Sequence, residues 1–238
     1  MAKPAKSAKS ARTAKPARSA PSVRPPARPK FELPELRPFE AGGVLRSEGD
    51  YDALEFADLD LTGAEARSAT FLDCALRRCV LTEADLRRAR LLDSLLDAPH
   101  GVGTALQDAQ LRDLEITEPR LGGVQLSGAT LTRVVVRGGK IDYLNLRQAK
   151  LVDVTFEGCV LVEPDLGGAS LERVSFENCE LRGLDLTAAE FRDVDLRGAA
   201  GLEITRGFDR LSGAVITPSQ LLDLAPRLAA ELGLRVEG

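Results

Sequence analysis

The chain has 238 residues, and 44% of them are hydrophobic, which is enough for one or two domains with a packed core. Aromatic residues make up only 4% and tryptophan is absent, which argues against stacking of nucleic-acid bases on aromatic side chains. The sequence has no apolar run near the ~18 residues of a membrane span and no hydrophobic signal segment, so we expect a cytoplasmic protein.

The first segment is strongly basic. Residues 1–30 contain nine lysines and arginines, no acid, and mainly alanine, proline and serine besides. The segment has too little apolar surface to offset the conformational entropy that it would lose on folding. We therefore predict a disordered basic tail. Because the whole chain carries a net charge of −4, removing these nine positive charges leaves −13 on residues 31–238. The tail can contact nucleic acid through counterion release, remain solvated without a partner, or fold back on the acidic body and compete with its partner.

Residues 31–55 regain apolar side chains, beginning at Phe31, but not yet a regular period. We assign this segment to an N-terminal cap, because the first coil of a repeat array exposes its core and an unpaired strand edge.

Residues 56–200 are organised by a period of five. Of the 29 positions taken every fifth residue from Phe56 to Leu196, 27 are Leu, Ile, Val or Phe. A second set, two residues earlier, is dominated by Ala, Cys, Val and Leu. A period of five fits neither a helix nor a strand, so the chain must turn repeatedly and form a solenoid whose units bury their apolar faces by stacking.

Units such as Ala84-Asp85-Leu86-Arg87-Arg88 resemble the pentapeptide-repeat family. The resemblance implies an all-β fold, a right-handed quadrilateral β-helix with four pentapeptides per coil and Leu or Phe pointing inward. It also implies roughly seven coils, or a rod of about 35 Å at ~4.8 Å per coil.

The stretch from Asp93 to Leu106 is the weakest part of the pattern, with Ser94, Pro99, Gly101 and Thr104 in inward positions. The register survives this stretch, so we predict a distorted coil rather than an inserted loop.

The residue types that usually carry catalysis are sparse. All four cysteines fall in the small inward position and match no zinc pattern, so we expect buried thiols, with Cys159 stacked under Cys179. His100 is the only histidine and has no nucleophile near it in the repeat. We therefore predict no catalytic, cofactor-binding or metal-binding residues, and a protein that is not an enzyme.

Acidic residues concentrate late in the repeats. Between Asp153 and Asp195 there are eleven acids and only three arginines. Acids twenty residues apart should stack on neighbouring coils, and like charges in register are destabilising unless they serve a purpose. We predict an acidic partner-binding face; the alternative is a solvated face that resists aggregation. The face comprises Asp153, Glu157, Asp165, Glu177, Asp185 and Asp195.

Residues 201–238 form a C-terminal cap or dimerisation helix. Thr217 and Gln220 form a capping box with Pro218 at the first helical position, and Pro226 is expected to kink or split the helix. Its apolar stripe can cap the last coil or join a second copy. The stripe consists of Leu221, Leu224, Ala225, Leu228 and Leu232.

Leu221-Leu222 together with residues 230–236 is similar to the C-terminal dimerisation segment of the gyrase-binding, quinolone-resistance group of pentapeptide-repeat proteins. That resemblance implies an elongated acidic homodimer that mimics DNA and binds DNA gyrase or topoisomerase IV. Two alternatives remain: a rigid scaffold or adaptor with another protein partner, and a nucleic-acid-associated protein tethered by its basic arm.

Overall fold

The computed structural model describes residues 23–40 and 43–236. Within these ranges the chain forms eighteen strands, a single 3-10 turn at Phe208–Arg210 and one helix, α1 (Pro218–Glu231). The strands of the first half are β1 (Arg37–Pro38), β2 (Asp50–Asp52), β3 (Leu54–Ala57), β4 (Thr70–Leu72), β5 (Ala75–Arg77), β6 (Arg90–Asp97), β7 (His100–Val102), β8 (Gln110–Thr117) and β9 (Arg120–Gly122). Those of the second half are β10 (Thr130–Arg137), β11 (Lys140–Asp142), β12 (Lys150–Glu157), β13 (Val160–Val162), β14 (Ser170–Glu177), β15 (Cys179–Asp185), β16 (Glu190–Asp195), β17 (Ala199–Arg206) and β18 (Ala214–Val215).

The strands build a parallel β-solenoid of about nine turns. Pairing is parallel and offset by twenty residues, so that Leu131, Leu151 and Leu171 lie side by side in β10, β12 and β14. One sheet of twelve strands contains β6, β8, β10, β12 and β14, each of eight residues, and a second sheet joins β7, β9, β11, β13, β15 and β17 in sequence order. The solenoid predicted from the period of five and the all-β fold implied by the family resemblance are both confirmed.

The coils have four corners, and the backbone shows why the period is five. Every fifth residue from Glu48 to Asp193 has a positive φ, whether or not it is glycine. A left-handed residue turns an otherwise extended chain, and four such turns close one coil. Asp, Glu and Arg occupy many of these corners, so polar side chains project from the edges of the rod.

The core is a set of stacked side chains. Leu151, Leu161, Leu171 and Leu181 are almost fully buried. The rings of Phe156 and Phe176 stack with centroids 5.0 Å apart. All four cysteines are free and buried, as predicted, and burial raises the pKa of the Cys74 thiol to about 11.

The solenoid extends beyond the apolar repeat at both ends. The segment assigned to the N-terminal cap contributes β1 and β2, which pair with β3 and β4. Past Leu196, β17 pairs with β15 through register shifts, and β18 pairs with β16. Backbone pairing does not require an inward Leu at every position, which is why the structure has about nine turns instead of the seven implied by the repeat.

The weak coil keeps its register, because β6 pairs with β8 along its whole length. The two inward polar residues form hydrogen bonds with the backbone of the preceding coil. Ser94 Oγ accepts from the Cys74 amide (3.0 Å), and Thr104 Oγ1 donates to the Leu81 carbonyl (2.8 Å). Gly101 has φ 141°, and a Cβ at this position would lie 2.6 Å from the Thr82 amide nitrogen.

The predicted capping box of α1 is present, with Thr217 as the N-cap residue. The split of the helix expected as one outcome at Pro226 is wrong, because α1 continues through this residue. Leu224 is buried and Leu228 packs against the core, so packing on both sides of Pro226 holds the helix together. No helix in the described part of the chain is both long and apolar enough to span a membrane.

Candidate partner-binding surfaces

One corner of the rod carries a ladder of alternating charge. Arg133 donates to Asp113 at 2.5 and 2.6 Å, and Arg173 donates to Asp153 at 2.7 and 2.9 Å. Each pair joins adjacent coils, and Asp193 continues the same corner. The guanidinium groups hold the pKa values of Asp113 and Asp153 below the ordinary 3.8, although burial opposes the shift. We call Asp113, Arg133, Asp153, Arg173 and Asp193 the corner ladder.

The end of the basic tail lies on this ladder. Arg24 Nε donates to Asp193 Oδ2 (2.7 Å), and the backbone amides of Ala27 and Lys30 donate to Asp153 Oδ1 (3.0 Å) and Asp113 Oδ1 (3.3 Å). Residues 23–30 form no helix or strand, but the ladder orders them where a core of their own could not. The remainder of the predicted tail, residues 1–22, and any nucleic-acid contact it makes lie outside the described residues.

A second acidic column lies on another side of the rod. The backbone of Asp165 pairs with that of Asp185 on the next coil in a parallel β-bridge, as the twenty-residue spacing predicts. Arg147 lies 3.1 Å from the Asp165 carboxylate, and Arg206 lies 3.5 Å from that of Asp185. Both aspartates line an open surface groove together with Tyr143, which is 58% exposed, and the acidic residues Glu163 and Glu203.

The other predicted acidic residues also have neighbours. Glu157 stacks beside Glu177 in register and is bound by Arg137 (2.8 Å) and by Arg28 of the tail (2.5 Å). Burial raises the pKa of Glu157, but these hydrogen bonds outweigh burial and leave it lowered. Asp195 lies beside Ser175 in the sheet and pairs with Arg197 at 2.6 Å, which lowers its pKa.

The six predicted acidic residues therefore lie on several columns and do not share one face. The sequence count of eleven acids against three arginines missed arginines from neighbouring coils, which the fold brings beside them. The signal was present in the sequence, because Arg137 precedes Glu157 by one twenty-residue coil. Arg147 and Arg206 likewise lie about one coil from Asp165 and Asp185. Ion pairs exposed to water contribute about 0–1 kcal/mol each, so these arginines affect surface charge more than stability.

The residues of the predicted dimerisation stripe fall into two groups, one packed against the solenoid and one exposed to solvent. Leu224 and Leu228 face the last coil, whereas Leu221, Ala225 and Leu232 are exposed. Three further apolar side chains extend the exposed set: Leu222 (74%), Leu234 (60%) and Val236 (81%).

The described residues contain no group of three or more His, Cys, Asp or Glu placed to hold a metal ion. His100 lies at the exposed start of β7, paired with Arg120 of the next coil.

Two family models match the chain: the pentapeptide repeat region over residues 69–146, and the eight-copy pentapeptide repeat over residues 144–178 and 165–199. Together they cover more than half of the sequence. The chain belongs to the pentapeptide-repeat family.

The solved structures similar to this pentapeptide-repeat protein include HetL from the cyanobacterium Nostoc sp. strain PCC 7120, a protein involved in heterocyst differentiation regulation. It is 21% identical, with 74% of this chain and 92% of HetL covered and a TM-score of 0.33. QnrB1, a plasmid-mediated fluoroquinolone resistance protein, is 16% identical, with 81% of this chain and 93% of QnrB1 covered and a TM-score of 0.36. At these low identities and TM-scores, the likeness does not extend to a shared partner or activity. A search of curated proteins found no match.

Proposed function

We propose that this pentapeptide-repeat protein is a non-enzymatic protein-binding solenoid that binds DNA gyrase or topoisomerase IV as a DNA mimic. Residues 31–238 carry a net charge of −13, and Arg24, Arg28 and Lys30 of the tail, which lie on the rod, reduce this to −10. At about 4.8 Å per turn, about nine turns make a rod about 43 Å long, which gives roughly one net negative charge per 4.3 Å. Duplex DNA carries about one per 1.7 Å, so the rod has about two-fifths of the charge density of the molecule it would mimic.

The observation that carries this proposal is the groove containing Asp165 and Asp185. These carboxylates are held in register on a rigid sheet and lie beside exposed Tyr143. Preformed acidic columns steer a basic partner, and an exposed aromatic ring provides the contact area typical of binding hot spots.

The direct test is equilibrium binding of the labelled full-length protein to purified gyrase, with linear duplex DNA as competitor. We expect saturable binding that DNA displaces competitively. An absence of binding at micromolar gyrase would contradict the proposal and favour the alternative, a rigid scaffold or adaptor for another protein. The pairing of Asp165 and Asp185 with Arg147 and Arg206 supports that alternative, because it balances charge along the groove.

We further propose that the C-terminal segment joins two copies into a homodimer. Leu222 and Leu232 are 74% and 76% exposed, so their burial against a second copy would remove apolar surface from water. The double variant Leu222→Ser/Leu232→Ser should sediment as a monomer under conditions where the unmodified protein is dimeric.

The matched control replaces two exposed valines far from α1, Val44→Ser/Val102→Ser, and should leave the oligomeric state unchanged. A monomeric unmodified protein at high concentration would contradict this assignment and leave the exposed residues without a partner.

A further inference from the structure

The chain from Val23 to Phe39 shows a three-residue period in its exposure. Val23, Pro26 and Pro29 are half-buried, as are Leu33, Leu36 and Phe39, and the two residues between consecutive members of each set are exposed. Phe31, which lies between the two sets, is also half-buried. Polyproline II has three residues per turn, so every third side chain falls on the same side. The prolines at positions 25, 26 and 29 favour this conformation because their φ is fixed near −65°.

The contacts with the corner ladder repeat at the same interval. Residues 24, 27 and 30 reach Asp193, Asp153 and Asp113, which lie two coils apart from one to the next. Three residues of polyproline II span about 9.3 Å, and two coils of the solenoid span about 9.6 Å. The two repeats therefore stay in step over four coils, and the intervening Arg133 and Arg173 hold the acceptor carboxylates in place.

The surface beneath this segment is already covered. Val135, Thr155 and Ser175 occupy alternate positions that point out of the solenoid, between inward neighbours, yet they are only 1%, 2% and 5% exposed. Ala27 and Arg28 contact Asp153 and Glu157, one on either side of Thr155 in β12. The segment must therefore pass over Thr155 as it runs along the rod. This path accounts for the burial of an outward-pointing column of small side chains.

We propose that the column of Val135, Thr155 and Ser175, edged by the corner ladder and Glu157, is a docking track for an extended, proline-rich basic segment. Residues 23–30 are its resident occupant, a strap that an external partner must displace before it reaches Asp153 or Glu157. The track is matched to its occupant in spacing and charge. This inference rests on contacts within the chain and is independent of the binding to gyrase proposed above.

The strap has consequences for partner binding. The corner ladder and Glu157 are satisfied within the chain, whereas the groove at Asp165 and Asp185 receives no contact from residues 23–30. The two acidic surfaces are therefore not equivalent: the groove is open, and the track becomes available only after the strap is released.

Tryptic cleavage of the full-length protein after Lys30 measures release. Prolines follow Arg24 and Arg28, so trypsin does not cut there, whereas the Lys30–Phe31 bond lies at the end of the strap. We expect slow cleavage of the unmodified protein at low salt. Cleavage should be about tenfold faster in Asp113→Asn/Asp153→Asn/Asp193→Asn, and faster in the unmodified protein at high salt, because exposed ion pairs are screened. The control Asp60→Asn/Asp108→Asn/Asp142→Asn should behave like the unmodified protein.

A second measurement does not depend on the stability of the solenoid. The variant Arg24→Gln/Pro26→Gly/Arg28→Gln/Pro29→Gly alters only the strap, so it leaves the core intact and empties the track. A fluorescent peptide corresponding to residues 21–32 should bind this variant more tightly than it binds the unmodified protein, by about tenfold or more. Equal peptide binding to both proteins, or equal cleavage rates after Lys30 in all the aspartate variants, would overturn the proposal.

Discussion

Replacing Leu171 with alanine is expected to lower the free energy of unfolding by about 3 kcal/mol, within the ~2–5 kcal/mol typical of such truncations in tightly packed cores. Leu171 is 1% exposed and lies in register between Leu151 of the preceding coil and Phe191 of the following coil. The neighbouring coils are fixed by backbone pairing, so they cannot collapse into the space left by the truncated side chain. Urea unfolding followed by far-ultraviolet circular dichroism measures the change.

The control for this substitution is Val44→Ala, which truncates an aliphatic side chain that is 73% exposed and lies outside the proposed dimer contact. It should alter the unfolding free energy by less than about 0.5 kcal/mol. If Leu171→Ala were as mild as the control, the side chain would not be part of a continuous stacked core, and the inward assignment of the five-residue repeat would fail.

Neutralising the groove should have the largest effect on binding. We expect Asp165→Asn/Asp185→Asn to weaken binding to gyrase by roughly 30-fold or more, because loss of one member of a desolvated charge pair costs ~2–5 kcal/mol. Asparagine retains an acceptor oxygen. It can therefore keep the hydrogen bonds from the Gly167 and Thr187 amides, and the fold should not change.

The matched control is Asp60→Asn/Asp108→Asn, which removes the same charge from exposed positions outside the groove. A control that weakened binding as much as the groove variant would show that net charge alone drives association. An unchanged affinity in the groove variant would remove the groove from the interface.

The fold could be predicted from the sequence because the constraint repeats. A single Ala-Asp-Leu unit carries no information, but 27 apolar residues at 29 positions in phase leave few solutions other than a solenoid. The same reasoning underestimated the number of turns. The terminal coils are held by backbone pairing, as between β16 and β18, where the repeat no longer has the required spacing.

The surface was less predictable, because it depends on which residues the coils bring together. Counting charges along the chain could not show that Arg173 neutralises Asp153, or that Arg206 lies beside Asp185. A tail folded back on the acidic body was one of three predicted alternatives, but the sequence did not show which residues it contacts. Val23, Pro26 and Pro29 form an apolar stripe only at a period of three, and this stripe has meaning only opposite an outward column such as Val135, Thr155 and Ser175.

Pro226 shows the opposite case, because the helix continues through a residue that locally favours a helix end. A proline removes one helical hydrogen bond, but Leu224 and Leu228 anchor α1 to the last coil on both sides of it. Tertiary packing therefore outweighs the local preference for a break.

The most direct test of the proposed function is a gyrase supercoiling assay, in which the full-length protein is titrated with and without a fluoroquinolone. We expect the protein to inhibit supercoiling or to protect the enzyme from the drug, and the groove variant to do neither. Unchanged supercoiling and unchanged drug sensitivity, at protein concentrations well above that of gyrase, would contradict the DNA-mimic proposal.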